Sequence, residues 1–259
     1  MVCEMSVLSS IESVVVGQRS IRNSIRAWLH DRRLRRSSHQ LGFSIVVNAH
    51  REGSYLKAAL QSAIEAALPV LHRGTPVELL LILDRADAST RYVARQVLRL
   101  CPFPYRCFHL RFGDLGLSRN VAVNHARLPW VSFLDGDDLW AANWLQSVSD
   151  AIMNCSSEPS SCVFHPRYNF YFQQQESLLC SPNQVDLDCP EALLIADNVW
   201  TALCCAHRDL LRSHPYQQNR LHEGLGYEDW SWNRRVIQAG YQHVALEGTC
   251  HFIRRHGFS

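Results

Sequence analysis

From residue 42 onward the chain switches repeatedly between the two periodicities that separate strands from helices. Residues 43–47 are a β-rich apolar run, and residues 55–67 carry Leu56, Ala59, Leu60, Ala63 and Ile64 at helical spacing. Residues 77–83 form a continuous apolar strand, 89–100 a helix, 106–110 a third strand, and a helix over 116–126 leads into an apolar run ending at Asp135. Strand and helix in alternation predict an α/β chain: a doubly wound, mainly parallel sheet flanked by helices, with ligands outside the carboxyl ends of the strands. The polar clusters of the first half fall at such ends. No G-x-G-x-x-G follows the first strand and no P-loop is present, so neither a dinucleotide dehydrogenase nor a Walker-type kinase is supported.

The most telling of these ends is Val131-Ser132-Phe133-Leu134-Asp135-Gly136-Asp137-Asp138, where an apolar strand delivers three carboxylates within four residues. Crowded acidic side chains repel one another and lose hydration, so a cluster of this kind calls for a cation. Oxygen ligands favour a hard ion, Mg²⁺ or Mn²⁺, and such ions commonly hold phosphates. The plainer reading is an acidic turn in which Asp138 caps a helix beginning at Leu139-Trp140-Ala141-Ala142.

A length of 259 residues allows one large α/β domain or two small ones, and 47% hydrophobic with 19% charged residues fits an ordinary globule. The formal charge of +2 argues against a nucleic-acid footprint. Ten cysteines include no C-x-x-C pair, and the start Met1-Val2-Cys3-Glu4 has no secretory pattern, so reduced thiols in a cytoplasmic protein are expected. No run approaches the 18 apolar residues of a membrane-spanning helix. Residues 1–40 read as a basic, amphipathic, helical extension: residues 19–36 hold seven arginines, one aspartate and one histidine, with Ile21, Ile25, Trp28 and Leu29 at helical spacing. Such a helix either lies on the anionic inner face of a membrane or packs its apolar stripe on the domain that follows. Residues 41–259 then form a single domain. Its second part, 141–259, is less regular, with a loop over 156–161, aromatic strand material over 163–165 and 168–172, a polar stretch over 173–190, and helices over 208–213 and 227–239.

Taken in order, Val46-Val47-Asn48-Ala49-His50-Arg51-Glu52 with Tyr55-Leu56, the strand over 78–84, Gly116-Leu117-Ser118-Arg119-Asn120, Phe133-Leu134-Asp135-Gly136-Asp137-Asp138, Glu228-Asp229-Trp230 and Arg254-Arg255-His256 resemble the family 2 glycosyltransferases. The resemblance implies the GT-A fold, with 41–140 as the nucleotide-sugar-binding half and 141–259 as a smaller acceptor-binding half. It implies a metal-dependent, inverting transfer of a sugar from a nucleotide-diphosphate donor, a UDP-sugar foremost, to a hydroxyl of a glycan, lipid-linked or other acceptor. By the same resemblance Asp137 is the direct ligand of Mn²⁺ or Mg²⁺, Asp135 contacts the ribose or a metal-bound water, and His256 adds a metal or diphosphate contact. Arg119 and Arg254 are placed on the phosphate oxygens, for which guanidinium forks are suited. Asp84 accepts a hydrogen bond from the base, with His50 against that base and Glu52 in contact with the ribose or the base. Asp229 is the base that takes the acceptor proton, and Glu228 orients it or binds acceptor. Trp200 and Trp230 are expected to line the acceptor side, and His251 is a second candidate for the diphosphate.

The chain departs from the family at two of these places. Relatives commonly carry Pro-Thr-Tyr-Asn where this chain has Asn48-Ala49-His50-Arg51, and their paired aspartates after the second strand become Leu83-Asp84-Arg85-Ala86-Asp87. Competing readings are a GT-A-like scaffold without turnover and a sugar nucleotidyltransferase. The latter calls for a glycine-rich basic loop after the first strand, and residues 48–54 hold only Gly53.

Overall fold

Strands that are apolar on both faces need cover on both sides, and the alternating helices provide it. The computed structural model describes residues 41–155, 158–174, 176–219 and 227–255, together with the backbone of 11–16. The elements follow in chain order: β1 (Ile11–Val16), β2 (Phe43–Ala49), α1 (Tyr55–His72), β3 (Val77–Asp84), α2 (Ala88–Leu98), β4 (Tyr105–Leu110), α3 (Leu115–His125), β5 (Trp130–Asp135), β6 (Leu139–Trp140), α4 (Trp144–Asn154), β7 (Cys162–Phe172), β8 (Ser177–Cys180), α5 (Pro190–Ala196), β9 (Cys205–His207), α6 (Arg208–Ser213), α7 (Glu228–Gln238) and β10 (Gln242–Arg254). The strand order is β1-β4-β3-β2-β5-β9-β7-β10-β6, with β8 beside β7. The run β4-β3-β2-β5 is wholly parallel, as the alternation predicts, whereas β9 joins β5 and β7 antiparallel and so carries the sheet into the second half of the chain.

The side chains of β2 sort by parity. Phe43, Ile45, Val47 and Ala49 bury one face with Leu56, Ala59, Leu60 and Ala63 of α1 and with Trp144, Leu145 and Val148 of α4. Val46, with Leu80, Ile82 and Phe133, buries the other face against Val121 and Ala122 of α3, Leu210 of α6 and Trp232 and Val236 of α7. Burial of this kind contributes roughly 1.5–3 kcal/mol per large aliphatic or aromatic side chain.

Some expectations change. Residues 11–16, expected within the helical extension of 1–40, instead pair antiparallel with β4 as an edge strand, while the basic stretch over 19–36 lies outside the described residues. Asp138 does not cap a helix: Leu139–Trp140 is a short strand paired with β10, and α4 begins only at Trp144. The Asp138 carboxylate instead accepts the backbone N–H of Arg254 at 2.7 Å, fastening the acidic turn to the end of β10. Every cysteine among the described residues is a free thiol. No described helix is long and apolar enough to cross a membrane.

His251 is removed from any phosphate-binding role by its packing. The ring is fully buried, stacked on Trp140 at 6.0 Å and edge-on to Trp144 at 4.6 Å, and neither ring nitrogen has a hydrogen-bond partner among the described residues. Burial disfavours the charged imidazolium and holds its pKa down to about 3, against an ordinary 6.5. The unfolded chain therefore binds a proton that the folded chain refuses between these two values, so this residue lowers stability as pH falls through the window. Replacing His251 by Phe keeps an aromatic filling without the proton site. Compared by urea unfolding at pH 7.5 and pH 5, H251F should gain roughly 2 kcal/mol on the wild type; an unchanged difference would show that the imidazole is protonated or hydrated in the fold.

Candidate active site

The carboxyl ends of β2, β3 and β5 open into a cleft of about 370 Å³ lined by Asn48, His50, Glu52, Asp84, Ser118, Asp135 and Asp137, among others. The register explains why: Asn48 stands beside Ile82 on β3 and Asp135 on β5, so alternation brings Asn48, Ile82, Asp84 and Asp135 to one face. Gly136 lets the acidic turn fold over β2, because a Cβ there would lie 2.8 Å from the carbonyl oxygen of Asn48 and 3.0 Å from Cβ of Ala49.

Asp84 is held from one side only. Its Oδ2 accepts the backbone N–H of Asp114 at 3.1 Å and the hydroxyl of Ser118 at 3.0 Å, whereas Oδ1, also buried, has no partner among the described residues. His50 Nδ1 lies 2.6 Å from the carbonyl oxygen of Asp84, so that nitrogen carries the proton and donates. Glu52 accepts the backbone N–H of His50 at 2.6 Å, and its pKa is raised, first by burial and also by the negative charge of Asp137.

Arg119 supplies the main correction to the expected roles. Rather than facing phosphate, its fully buried guanidinium sits beneath the cleft between Asp135, at 3.0 Å, and Glu228, at 2.6 Å. The rings of Phe133 and Tyr216 lie 5.8 and 5.5 Å from it. Burial alone would push the arginine pKa down, but the charges of Asp135 and Glu228 outweigh it and hold the proton more firmly than usual. Glu228 is completed by Asn219 Nδ2 at 2.8 Å, so both its oxygens are engaged. Gly116 makes room for this junction: a Cβ there would come 2.6 Å from the carbonyl oxygen of Gln217.

Asp229 follows in the first turn of α7, after Tyr227 in the left-handed region at φ 65°, a conformation uncommon for an aromatic residue. Its Oδ2 accepts from Asn198 Nδ2 at 3.0 Å and its Oδ1 from the N–H of Trp230 at 2.8 Å. Burial, then the charge of Glu228, raises its pKa from the ordinary aspartate value. Asn198 is steadied by Asn233, whose amide also donates to the carbonyl oxygen of Trp200. Trp200 is therefore a support and not an acceptor platform: it is fully buried, stacked 4.3 Å from His243, with Nε1 donating to the carbonyl oxygen of Pro182. Trp230 is half-buried and tied through Nε1 to the carbonyl oxygen of Leu194. Asn198 and Asn219 carried no signal in the sequence, because a lone asparagine in a loop ordinarily serves a turn.

On the far side of the acidic turn, Arg254 lies over the rings of Tyr55 and Phe172 at 4.1 and 4.6 Å, and donates from Nε to the carbonyl oxygen of Asp137. Its Nη1 donates to Gln173, so the side chain clamps the turn. His256 lies outside the described residues. No three His, Cys, Asp or Glu side chains among the described residues form a ready-made metal cluster. The chemistry of the cleft nonetheless fits a cation shared with a ligand. The pKa of Asp135 is raised by burial and by Asp137 and Glu228 against the pull of Arg119, and that of Asp138 by burial and by Asp135 and Asp137. A divalent ion between Asp135 and Asp137 would relieve that crowding.

A family model described as glycosyl transferase family 2 matches residues 44–170. The minor teichoic acid biosynthesis protein GgaA of Bacillus subtilis (strain 168) is 26% identical over 128 residues, which are 49% of this chain and 28% of that protein. Residues 1–349 of TarS from S. aureus in complex with UDP superpose with a TM-score of 0.62 at 16% identity, covering 83% of this chain and 61% of that one. GalNAc-T7 with UDP, GalNAc and Mn²⁺ gives 0.59 at 16% identity, covering 85% and 45%. The chain thus spans under two thirds of the length of each, and the likeness establishes the GT-A fold.

Removing Arg119 should be costly because it leaves two carboxylates unpaired and partly buried. R119M is expected to lower the unfolding free energy by roughly 3–5 kcal/mol at neutral pH; a loss below about 1 kcal/mol in chemical denaturation would show that the pair is hydrated.

Proposed function

The chain belongs to glycosyl transferase family 2 through residues 44–170, and on that premise we propose that it moves a sugar from a nucleoside-diphosphate donor, UDP foremost, to a hydroxyl of a glycan acceptor with inversion. The observation that carries this reading is the buried Arg119, which couples Asp135 in the donor cleft to Glu228, the neighbour of Asp229. A donor site and a proton acceptor are thereby held on one rigid connection, as in-line displacement requires.

In the proposed reaction Asp84 accepts the ring N–H of the base through Oδ1, and His50, locked by its bond to the Asp84 carbonyl oxygen, sits against the base. Asp135 and Asp137 hold Mg²⁺ or Mn²⁺, which when bound neutralises charge on the departing diphosphate. Arg254 keeps the acidic turn in place from behind. Asp229, oriented by Asn198, takes the proton of the acceptor hydroxyl as it attacks the anomeric carbon from the face opposite the leaving group. Glu228 cannot rotate to compete, since Arg119 and Asn219 occupy both its oxygens. A cell-wall polymer is the acceptor class proposed, on the strength of the teichoic-acid name of the relative. GalNAc-T7, whose structure contains Mn²⁺, and TarS, whose structure contains UDP, support the choice of cation and donor.

Calorimetric titration tests the donor site: UDP should bind the wild type more tightly with Mn²⁺ than with chelator, and D137A should remove that metal-dependent increment while melting cooperatively. Metal-independent UDP binding would overturn the assignment of Asp137. For the proton acceptor, D229N should bind UDP normally yet lose about 10²–10⁴-fold in transfer. Wild-type turnover in D229N would rule it out as the base.

A further inference from the structure

Among the described residues that line the cleft, Asn48 is poorly explained by the fold alone. It stands one residue before the end of β2, is only 5% exposed, and neither Oδ1 nor Nδ2 has a hydrogen-bond partner among the described residues. Burying an amide with both ends unpartnered is unfavourable, and an apolar residue of the same shape would avoid that cost. Packing gives no reason for an asparagine here: Val46 and Ile82, of like parity, are apolar, and Asp135 beside it on β5 makes no hydrogen bond to it. The side chain lines the cleft, and it shares that cleft with Asp84 Oδ1, which is likewise buried and without a partner among the described residues. One face of the sheet therefore offers an unused amide donor from β2 and an unused carboxylate acceptor from β3.

Resting on the donor site proposed above, we infer that Asn48 is a specificity residue that, with Asp84, reads the O=C–N–H edge of the donor base. The ring N–H donates to Asp84 Oδ1 and the adjacent carbonyl accepts from Asn48 Nδ2. Uracil presents this edge at N3 and O4. Cytosine presents a bare ring nitrogen and an amino group in the same places: the ring nitrogen meets the Asp84 carboxylate acceptor to acceptor, and the amino group meets Asn48 Nδ2 donor to donor unless the amide turns over to offer Oδ1, so cytosine always loses the contact at Asp84. Guanine carries the same edge at N1 and O6, so the pair of residues selects an edge, and the walls of the cleft select ring size. Asp84 cannot turn to suit cytosine, because Asp114 and Ser118 already fix its other oxygen.

The test is isothermal titration of UDP, CDP and GDP, each with Mn²⁺, into the full chain and into N48L, with N48A as the second variant should N48L not fold. The wild type should prefer UDP or GDP to CDP. N48L should lose about 10- to 100-fold for the preferred nucleotide and much less for CDP, so that the ratio of affinities contracts. Urea unfolding without ligand should find N48L at least as stable as the wild type, which an asparagine retained for structure would not allow. Equal weakening of all three nucleotides would place the amide on ribose or phosphate and overturn the inference. Unchanged affinities in the variant would overturn it as well. A wild type that binds none of the three would instead strike the donor site proposed above, which separates the two failures.

Discussion

A guanidinium without water must be surrounded by carboxylates, and the rest of this site depends on how that demand is met around Arg119. The residue is carried into the interior by α3, whose apolar face it shares, so its charge has no solvent to fall back on. Asp135 and Glu228 meet the demand from distant parts of the chain, and Phe133 and Tyr216 wall in the arrangement. Two consequences follow. The first carboxylate of the acidic turn is held in register with the cleft, and the start of α7 is brought against α3, with Asp229 next along the helix. A buried ion pair is a poor source of net stability compared with apolar packing. Its value here lies in orientation, since a charge pair tolerates few geometries.

The two ends of the same sheet treat polar groups in opposite ways. At the amino end, Glu78 is also buried with a cation, but its needs are fully met: Arg106 at 2.7 Å, Ser44 at 2.7 Å and the N–H of Arg127 at 2.7 Å. That cluster ties β2, β3 and β4 together and leaves nothing over for a ligand. At the carboxyl end, carboxylates crowd one another, Asn48 and one oxygen of Asp84 lack partners among the described residues, and several acids are held above their ordinary pKa. Protein interiors rarely leave such groups unmatched. Unmatched polarity that lines an open cleft at the carboxyl end of a parallel sheet marks a ligand site, because a ligand completes what the fold does not.

Much of the site was legible in the chain before folding was considered. Alternating periodicities placed the parallel core, and the ends of its strands delivered His50, Glu52, Asp84, Asp135 and Asp137 to one cleft. Those residues lie within three residues of a strand end, where local pattern and location coincide. What was misread depended on distant partners. Arg119 looked like a phosphate ligand because the family resemblance suggested it and guanidinium forks suit phosphate; only the arrival of Glu228 explains its burial. Trp200 looked like a sugar platform because an aromatic residue reads the same whether it lines a groove or fills a core, and its stacking on His243 decides for the core. Asp138 looked like a helix cap because the strand that it fastens, β10, comes more than a hundred residues later.

By itself, then, the sequence determined the order of strands and helices, the doubly wound class and the identity of the acidic turn, since these follow from short-range spacing of apolar and charged side chains. Only the tertiary structure decided which oxygen of Asp84 is left open, that Asn48 is buried without partners, and that Arg119 binds the two halves together. The physical reason is that desolvation is a property of the whole packing around a group. A side chain carries its charge and hydrogen-bonding capacity wherever it stands, but whether water remains to satisfy them is settled by residues far away in the chain.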